Sequence, residues 1–215
     1  MIADPDTTLT DLGLAVESAV LAWLLARRGD PRDTSRAWWL LFFGAAGFAS
    51  LLGVLYHGFF PGPQSAAADP LWAATLLCLG LTALAGWALG APILLPRQAR
   101  WVTVAAVVVF AIYTGVVLAG FQDFLVAVVH YLPSAVFLLI ALAVAYYRRR
   151  ARPLALGLVG MVLIFVGAGL QQARVALHPV HFDHNAVYHV VQAVALYLLY
   201  RGAAWLVAPA RGRRA

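Results

Sequence analysis

Seven stretches of roughly 20 apolar residues, nearly free of charge, run along this chain of 215 residues. They cover residues 8–26, 37–60, 71–92, 101–119, 122–147, 153–173 and 185–207. A helix needs about 20 apolar residues to cross the ~30 Å hydrocarbon core of a bilayer, and backbone groups in lipid must be hydrogen-bonded within their own segment. The sequence therefore predicts an all-α integral membrane protein, with seven transmembrane helices in one bundle and a single domain over residues 1–215.

The placement of the arginines predicts how the bundle is oriented. Only 11% of the residues are charged, against about 25% in an ordinary soluble domain. The chain has no lysine. Fourteen arginines share one side of the membrane: Arg27, Arg28, Arg32 and Arg36 in the first loop, Arg97 and Arg100 in the third, Arg148, Arg149, Arg150 and Arg152 in the fifth, and Arg201, Arg211, Arg213 and Arg214 at the C-terminal end. Only Arg174 lies on the other side, so the positive-inside rule places the N-terminus outside and the C-terminus in the cytoplasm.

The distribution and type of charged residues also limit which binding partners and which cellular compartment the sequence predicts. The arginines flank membrane spans, so they indicate contact with anionic lipid rather than a nucleic-acid partner. A composition rich in arginine and alanine resembles that of a GC-rich bacterium, which favours a bacterial inner membrane. The N-terminal MIADPDTTLTD is acidic and does not resemble a cleaved signal peptide. Cys78 is the only cysteine, so no internal disulfide is expected.

Polar residues inside the apolar spans point to a site, because each is costly in lipid and tends to face the bundle interior. His57 lies near the outer end of the second span, Asp69 begins the third, and His189 lies one turn inside the seventh. Glu17 lies near the middle of the first span, and Ser50 and His130 lie in the second and fifth. On the predicted topology every histidine falls in the outer half of the membrane, which indicates a site beneath the outer surface.

The histidines predict a bound metal ion, namely zinc. Neutral imidazole is a preferred zinc ligand, and catalytic zinc sites use three protein ligands and a water. His57 and His189 would supply two ligands, and Asp69 would orient a ligand or take a proton from the bound water. His184 lies about 140° from His189 on an ideal helix, so it qualifies as the third ligand only if it precedes the helix or the helix is distorted. His181 from the outer loop, or no third ligand, are the alternatives.

Neighbouring polar residues have both structural and functional interpretations. Asn185 and Gln192 share a helix face with His189, which predicts that they line the same cavity. His130 is favoured as a hydrogen-bond partner between helices, with a place lining the cavity as the alternative. Glu17 fits either a hydrogen bond to a neighbouring helix or a place near the site. Asp69, followed by Pro70, also fits a cap of the third helix.

The chain resembles the CREST superfamily of seven-helix membrane proteins, which includes alkaline ceramidases, the progestin and adipoQ receptors and GPI-remodelling hydrolases. The resemblance rests on FASLLGVLYH with Ser50 and His57, on AADPLW with Asp69, and on NAVYH with His189. It implies that histidines of the second and seventh helices bind zinc, and that the aspartate and serine support the bound water and the oxyanion. This chain departs from the family's H-x-x-x-H pair, because Asn185 occupies the first of its two positions.

The residues and the resemblance together predict a zinc-dependent intramembrane hydrolase that cleaves an amide or ester bond in a membrane lipid. Asp69 and Ser50 would be catalytic, and His57, His184 and His189 would hold the ion. One alternative is a receptor or sensor with a structural zinc site, which would have a closed coordination shell. Another is a b-type haem protein of electron transfer. A retinal protein is excluded, because the chain has no lysine for a Schiff base.

Overall fold

The computed structural model describes residues 2–60, 66–178 and 181–209. Seven α-helices cover most of them: α1 Pro5–Ala26, α2 Thr34–Phe59, α3 Ala68–Leu94, α4 Ala99–Leu118, α5 Phe124–Arg149, α6 Arg152–Gln172 and α7 His184–Val207. Each is long and apolar enough to cross a membrane. The prediction of seven membrane-spanning helices is confirmed, and the observed ends lie within about three residues of the predicted ones. Arg211, Arg213 and Arg214 lie outside the described residues.

Aspartates determine where several helices begin. Asp4, Asp33, Asp123 and Asp183 precede α1, α2, α5 and α7, and each side chain accepts a backbone N–H of the first turn. Asp183 Oδ1 accepts from both Asn185 N and Ala186 N at 2.9 Å. These bonds satisfy donors that a helix end leaves open. In α1 the cap and Pro5 start the helix three residues before the predicted span, which makes Asp11 a residue of the helix interior.

Asp69 does not cap α3, so that alternative is wrong. The helix begins at Ala68, its cap position is Ala67, and no side-chain cap is present. Asp69 therefore lies inside the first turn, where a negative charge still interacts favourably with the helix dipole.

The helices form a ring in which α1, α2, α3, α5, α6 and α7 pack in succession and α7 returns to α1. The fourth helix packs against α3 on the outside of this ring. The main apolar core lies towards the end where α1 stops and α2 starts: Leu25 and Phe43 are fully buried, and Trp39 is 1% exposed. The opposite end of α1, α2 and α7 carries the polar side chains.

Glycines allow a close approach between α6 and α7. A Cβ at Gly160 would lie 2.6 Å from Ala195 O and 2.7 Å from Leu199 N, both backbone atoms. A backbone atom cannot swing aside as a side chain can. Small residues at such positions are the usual means of close helix packing in membranes.

We expect Gly160→Ala to lower the free energy of unfolding by about 1–3 kcal/mol, because the added methyl overpacks this interface. Gly169→Ala on the same helix is the matched control, since nothing lies within 4 Å of its added Cβ. The control should be neutral or stabilising by up to about 1 kcal/mol. Unfolding in mixed detergent micelles measures both, and equal effects would contradict the packing assigned to Gly160.

Candidate functional site

A buried polar cluster joins α1, α2 and α7 at the end of the bundle opposite the apolar core. His189 on α7 lies with its Nδ1 3.0 Å from Thr10 Oγ1 and its Nε2 3.5 Å from Asp11 Oδ1. The side chains of His189 and Asp11 are 11% and 6% exposed. The imidazole is therefore held between two consecutive residues of α1. We call His57, His189, Thr10 and Asp11 the His189 cluster.

A glycine on α2 makes room for the Asp11 carboxyl. A Cβ at Gly53 would lie between 2.5 and 3.0 Å from the carboxyl atoms of Asp11. Gly53 precedes His57 by four residues, so the two share one face of α2. The missing side chain at position 53 thus brings the Asp11 carboxyl against the helix face that carries His57.

His57 extends the cluster to α2. It lies within electrostatic range of His189 on α7 and of Asp4 and Asp183. Its ring stands edge-on to that of Tyr56, with centroids 5.2 Å apart. The structure thus places an imidazole of the seventh helix against a carboxylate of the first, with a second imidazole, on the second helix, in electrostatic range.

Acidic residues at the ends of α1 and α7 border the cluster. Asp6 Oδ2 accepts the backbone N–H of Asp183 at 2.9 Å, and Thr7 Oγ1 donates to Asp183 Oδ1 at 3.4 Å. Ala3 N donates to the carbonyl of Gly58 at 3.0 Å. These bonds tie the start of α1 to the ends of α2 and α7. Burial raises the pKa of the Asp4 carboxyl, so this group holds a proton more readily than an exposed aspartate.

The structure does not bring either candidate for the third zinc ligand, His184 or His181, into contact with His189. The seventh helix already begins at His184, so His184 and His189 project about 140° apart. His184 Nδ1 lies 3.5 Å from Asp183 Oδ2. The His181 ring stacks on that of His178 with centroids 4.8 Å apart. Within the described residues no three His, Cys, Asp or Glu side chains are placed to hold a metal ion. The predicted ligand set does not fit zinc in this arrangement, and zinc stays a prediction.

The predicted catalytic residues lie outside the contacts of the cluster. Asp69 is exposed in the first turn of α3, and Ser50 is half-buried on α2, two turns before His57. The carboxylate that contacts His189 is Asp11, which the sequence reasoning missed. Its signal was present: an aspartate within the first apolar span is costly in lipid.

The other residues predicted to line the cavity lie in different surroundings. Asn185 Nδ2 donates to Asp183 Oδ2, and Asn185 Oδ1 accepts from Gln171 Nε2 on α6, each at 3.3 Å. Asn185 therefore braces the start of α7. Gln192 Oε1 is buried without a hydrogen-bond partner among the described residues. Glu17 is half-buried on α1, nearly two turns deeper than Asp11.

His130 lies in a different part of the molecule. Its ring stacks on Tyr113 with centroids 4.1 Å apart and an interplanar angle of 7°. Both side chains line an apolar groove of about 480 Å³ whose walls come mainly from α4 and α5. The Tyr113 hydroxyl donates to the carbonyl of Leu76 at 2.9 Å. His130 thus belongs to the packing of α3, α4 and α5.

We expect Gly53→Ala to destabilise the protein by about 1–3 kcal/mol, because the new methyl meets the Asp11 carboxyl. In an Asp11→Ala background the cost should fall by at least about 1 kcal/mol, since the opposing group is gone. Gly44→Ala, in open space on the same helix, should show no such coupling. A double-mutant cycle of unfolding free energies measures this, and additive effects would show that the two groups do not meet.

The model of a family of unknown function, DUF6962, matches residues 7–207. The match runs from the first turn of α1 to the last residue of α7. No curated protein and no solved structure matches the chain.

Proposed function

We propose that this chain, which belongs to the DUF6962 family, is an integral membrane hydrolase that cleaves an amide or ester bond in a lipid. The observation that carries the proposal is the contact between His189 on α7 and the buried Asp11 on α1, with His57 on α2 in electrostatic range of His189. Titratable groups in a membrane span are expensive and mark functional sites by default. The resemblance to the CREST superfamily supports the substrate class.

The hydrogen bonds around Thr10 suggest which nitrogen of His189 is basic. Thr10 Oγ1 lies 2.9 Å from the carbonyl of Asp6 and 3.0 Å from that of Thr7 and donates to them. With its only proton directed there, Oγ1 accepts from Nδ1–H of His189. The neutral imidazole then presents Nε2 as an acceptor, and Nε2 faces the carboxyl of Asp11.

The basic nitrogen of His189 is placed to activate a water molecule that enters with the substrate. At 3.5 Å Nε2 and Asp11 are beyond ordinary hydrogen-bond distance, so Nε2 is free to accept a proton from that water. On attack, the water oxygen bonds to the lipid carbonyl carbon and its proton passes to Nε2. Asp11 stabilises the imidazolium that forms, a role carboxylates play beside catalytic histidines.

The next step returns the proton. The imidazolium of His189 passes it to the departing nitrogen or oxygen as the carbon–heteroatom bond breaks. The products are a carboxylic acid and an amine or alcohol, so the step balances with one water and needs no redox partner.

We expect purified protein to hydrolyse a member of a panel of lipid amides and esters, measured as released fatty acid. His189→Ala and Asp11→Asn should lower the rate by at least about 10²-fold, the scale of general acid–base catalysis. His130→Ala and Asp69→Asn are the matched controls and should retain the rate. Equal losses of rate in His189→Ala and His130→Ala, or in Asp11→Asn and Asp69→Asn, would contradict the catalytic roles proposed for His189 and Asp11.

Metal analysis and an optical spectrum of the same preparations separate the other predictions. About one zinc per chain, lost in a His57→Ala/His189→Ala variant that still folds, would restore the metal-dependent hydrolase, with a ligand set that differs from the arrangement described. A haem absorption band would favour electron transfer. Zinc without any hydrolysis of the lipid panel would favour a receptor with a structural metal.

The orientation is part of the proposal: the N-terminus outside, the C-terminus in the cytoplasm and the His189 cluster near the outer surface of a bacterial inner membrane. The positive-inside rule supports it. Ten of the described arginines occupy the first, third and fifth loops or their flanking helix ends, and only Arg174 lies between α6 and α7.

Labelling by a membrane-impermeant maleimide in intact cells tests the orientation. Ala176→Cys, in the exposed connection between α6 and α7, should react in intact cells, and Gln98→Cys, between α3 and α4, only after lysis. Both positions are exposed, and the native Cys78 is 7% exposed and gives a low background. The reverse pattern would place the His189 cluster on the cytoplasmic side.

A further inference from the structure

Four exposed arginines crowd the connection between α5 and α6: Arg148, Arg149, Arg150 and Arg152. We call residues 148–152 the arginine junction. The two ion pairs found among the described residues both involve histidines at the opposite end of the bundle, so no carboxylate neutralises the junction there. We propose that the arginine junction is a binding site for the phosphate of an anionic phospholipid. This site is independent of the proposed hydrolase.

Aromatic rings contact two of the guanidinium groups, those of Arg149 and Arg150. The Arg149 guanidinium carbon lies 5.6 Å from the ring centroid of Trp205 on α7, and that of Arg150 lies 4.7 Å from the ring of Tyr147. Such contacts restrict the side chains before a ligand arrives. Tryptophan and tyrosine at helix ends lie at the level of lipid headgroups, so these contacts place the positive charges where phosphates are.

The backbone conformation at the arginine junction keeps its positively charged side chains close together. The fifth helix ends with Arg150 in the left-handed conformation, at φ 51°, and α6 begins two residues later at Arg152. Glycine is the usual residue at such a helix end. An arginine there retains a charge at a position that backbone geometry alone would give to glycine. Arg148 Nη1 donates to the carbonyl of Ile93 at 3.4 Å, which extends the junction to the end of α3.

The chemistry of the junction favours an anionic phospholipid. A guanidinium offers parallel N–H donors that match phosphate oxygens, and the acyl chains would lie beside the exposed faces of α5 and α6. The helix dipole of α5 accounts for a preference for a cation in its last turn, but not for four in five residues. The headgroup of a zwitterionic phospholipid also carries a positive charge, which the same arginines would repel.

The test compares retention of phosphatidylglycerol and phosphatidylcholine by the full-length protein, measured by native mass spectrometry during lipid titration. One variant changes Arg148, Arg149, Arg150 and Arg152 to Gln. The matched control changes Arg32, Arg97, Arg100 and Arg201 to Gln, which removes the same charge from the same end of the bundle. We expect tighter phosphatidylglycerol binding in the wild type, weakened about tenfold or more in the junction variant and about twofold or less in the control.

Three outcomes would overturn the proposal: no preference for phosphatidylglycerol, equal weakening in both Gln variants, or full displacement of the lipid by millimolar inorganic phosphate. The second would indicate diffuse attraction to the surface, and the third a site for free phosphate. A variant with Lys at the same four positions preserves the topology signal if the Gln variant fails to insert. It should bind more weakly than the wild type, because lysine lacks the planar fork; wild-type affinity would overturn a guanidinium site.

Discussion

The contact of α1 with both α2 and α7 at Asp11 is the constraint on which the polar half of this bundle depends. A carboxyl and an imidazole inside a membrane span must find partners within the protein. Asp11 finds His189 across the α1–α7 interface, and Gly53 provides the space for its carboxyl on α2. Three helices are thereby joined around one buried group, and the face of α2 that carries Gly53 also carries His57.

The separation of apolar and polar packing gives the two ends of the ring different roles. Near the arginine-rich end, large side chains such as Trp39 and Phe43 fill the interior. Near the other end, hydrogen bonds among Thr7, Asp6 and Asp183 replace that packing. A dense core at one end can hold the helices while the other end retains groups able to bind water or a polar part of a lipid. The arginine junction then lies at the opposite membrane surface from the His189 cluster.

The cluster shares with the CREST-like pattern the two imidazoles of the second and seventh helices, and differs in the carboxylate. The pattern assigns that role to the third helix, whereas in this structure the carboxylate in contact with His189 comes from the first. The third histidine differs as well, because α7 is helical from His184 onward. The proposed acid–base site needs neither a third histidine nor a carboxylate of α3, whereas a three-histidine metal site would need His184, which projects from another face of α7.

The sequence by itself determined the number of helices, their bounds to within a turn, and the uneven distribution of arginine. These follow from the length of each apolar stretch and the charges beside it, which are local properties of the sequence and interact directly with the bilayer. It also singled out His57 and His189, since isolated imidazoles in apolar spans are conspicuous. Only the tertiary structure decided that Asp11 rather than Asp69 contacts His189, that His184 projects away from His189, and that His130 packs against Tyr113. Those outcomes depend on helix rotation and on which helices are neighbours. Rotation and neighbours are set by contacts between residues far apart in the chain, such as Gly53 with Asp11, which no single segment encodes.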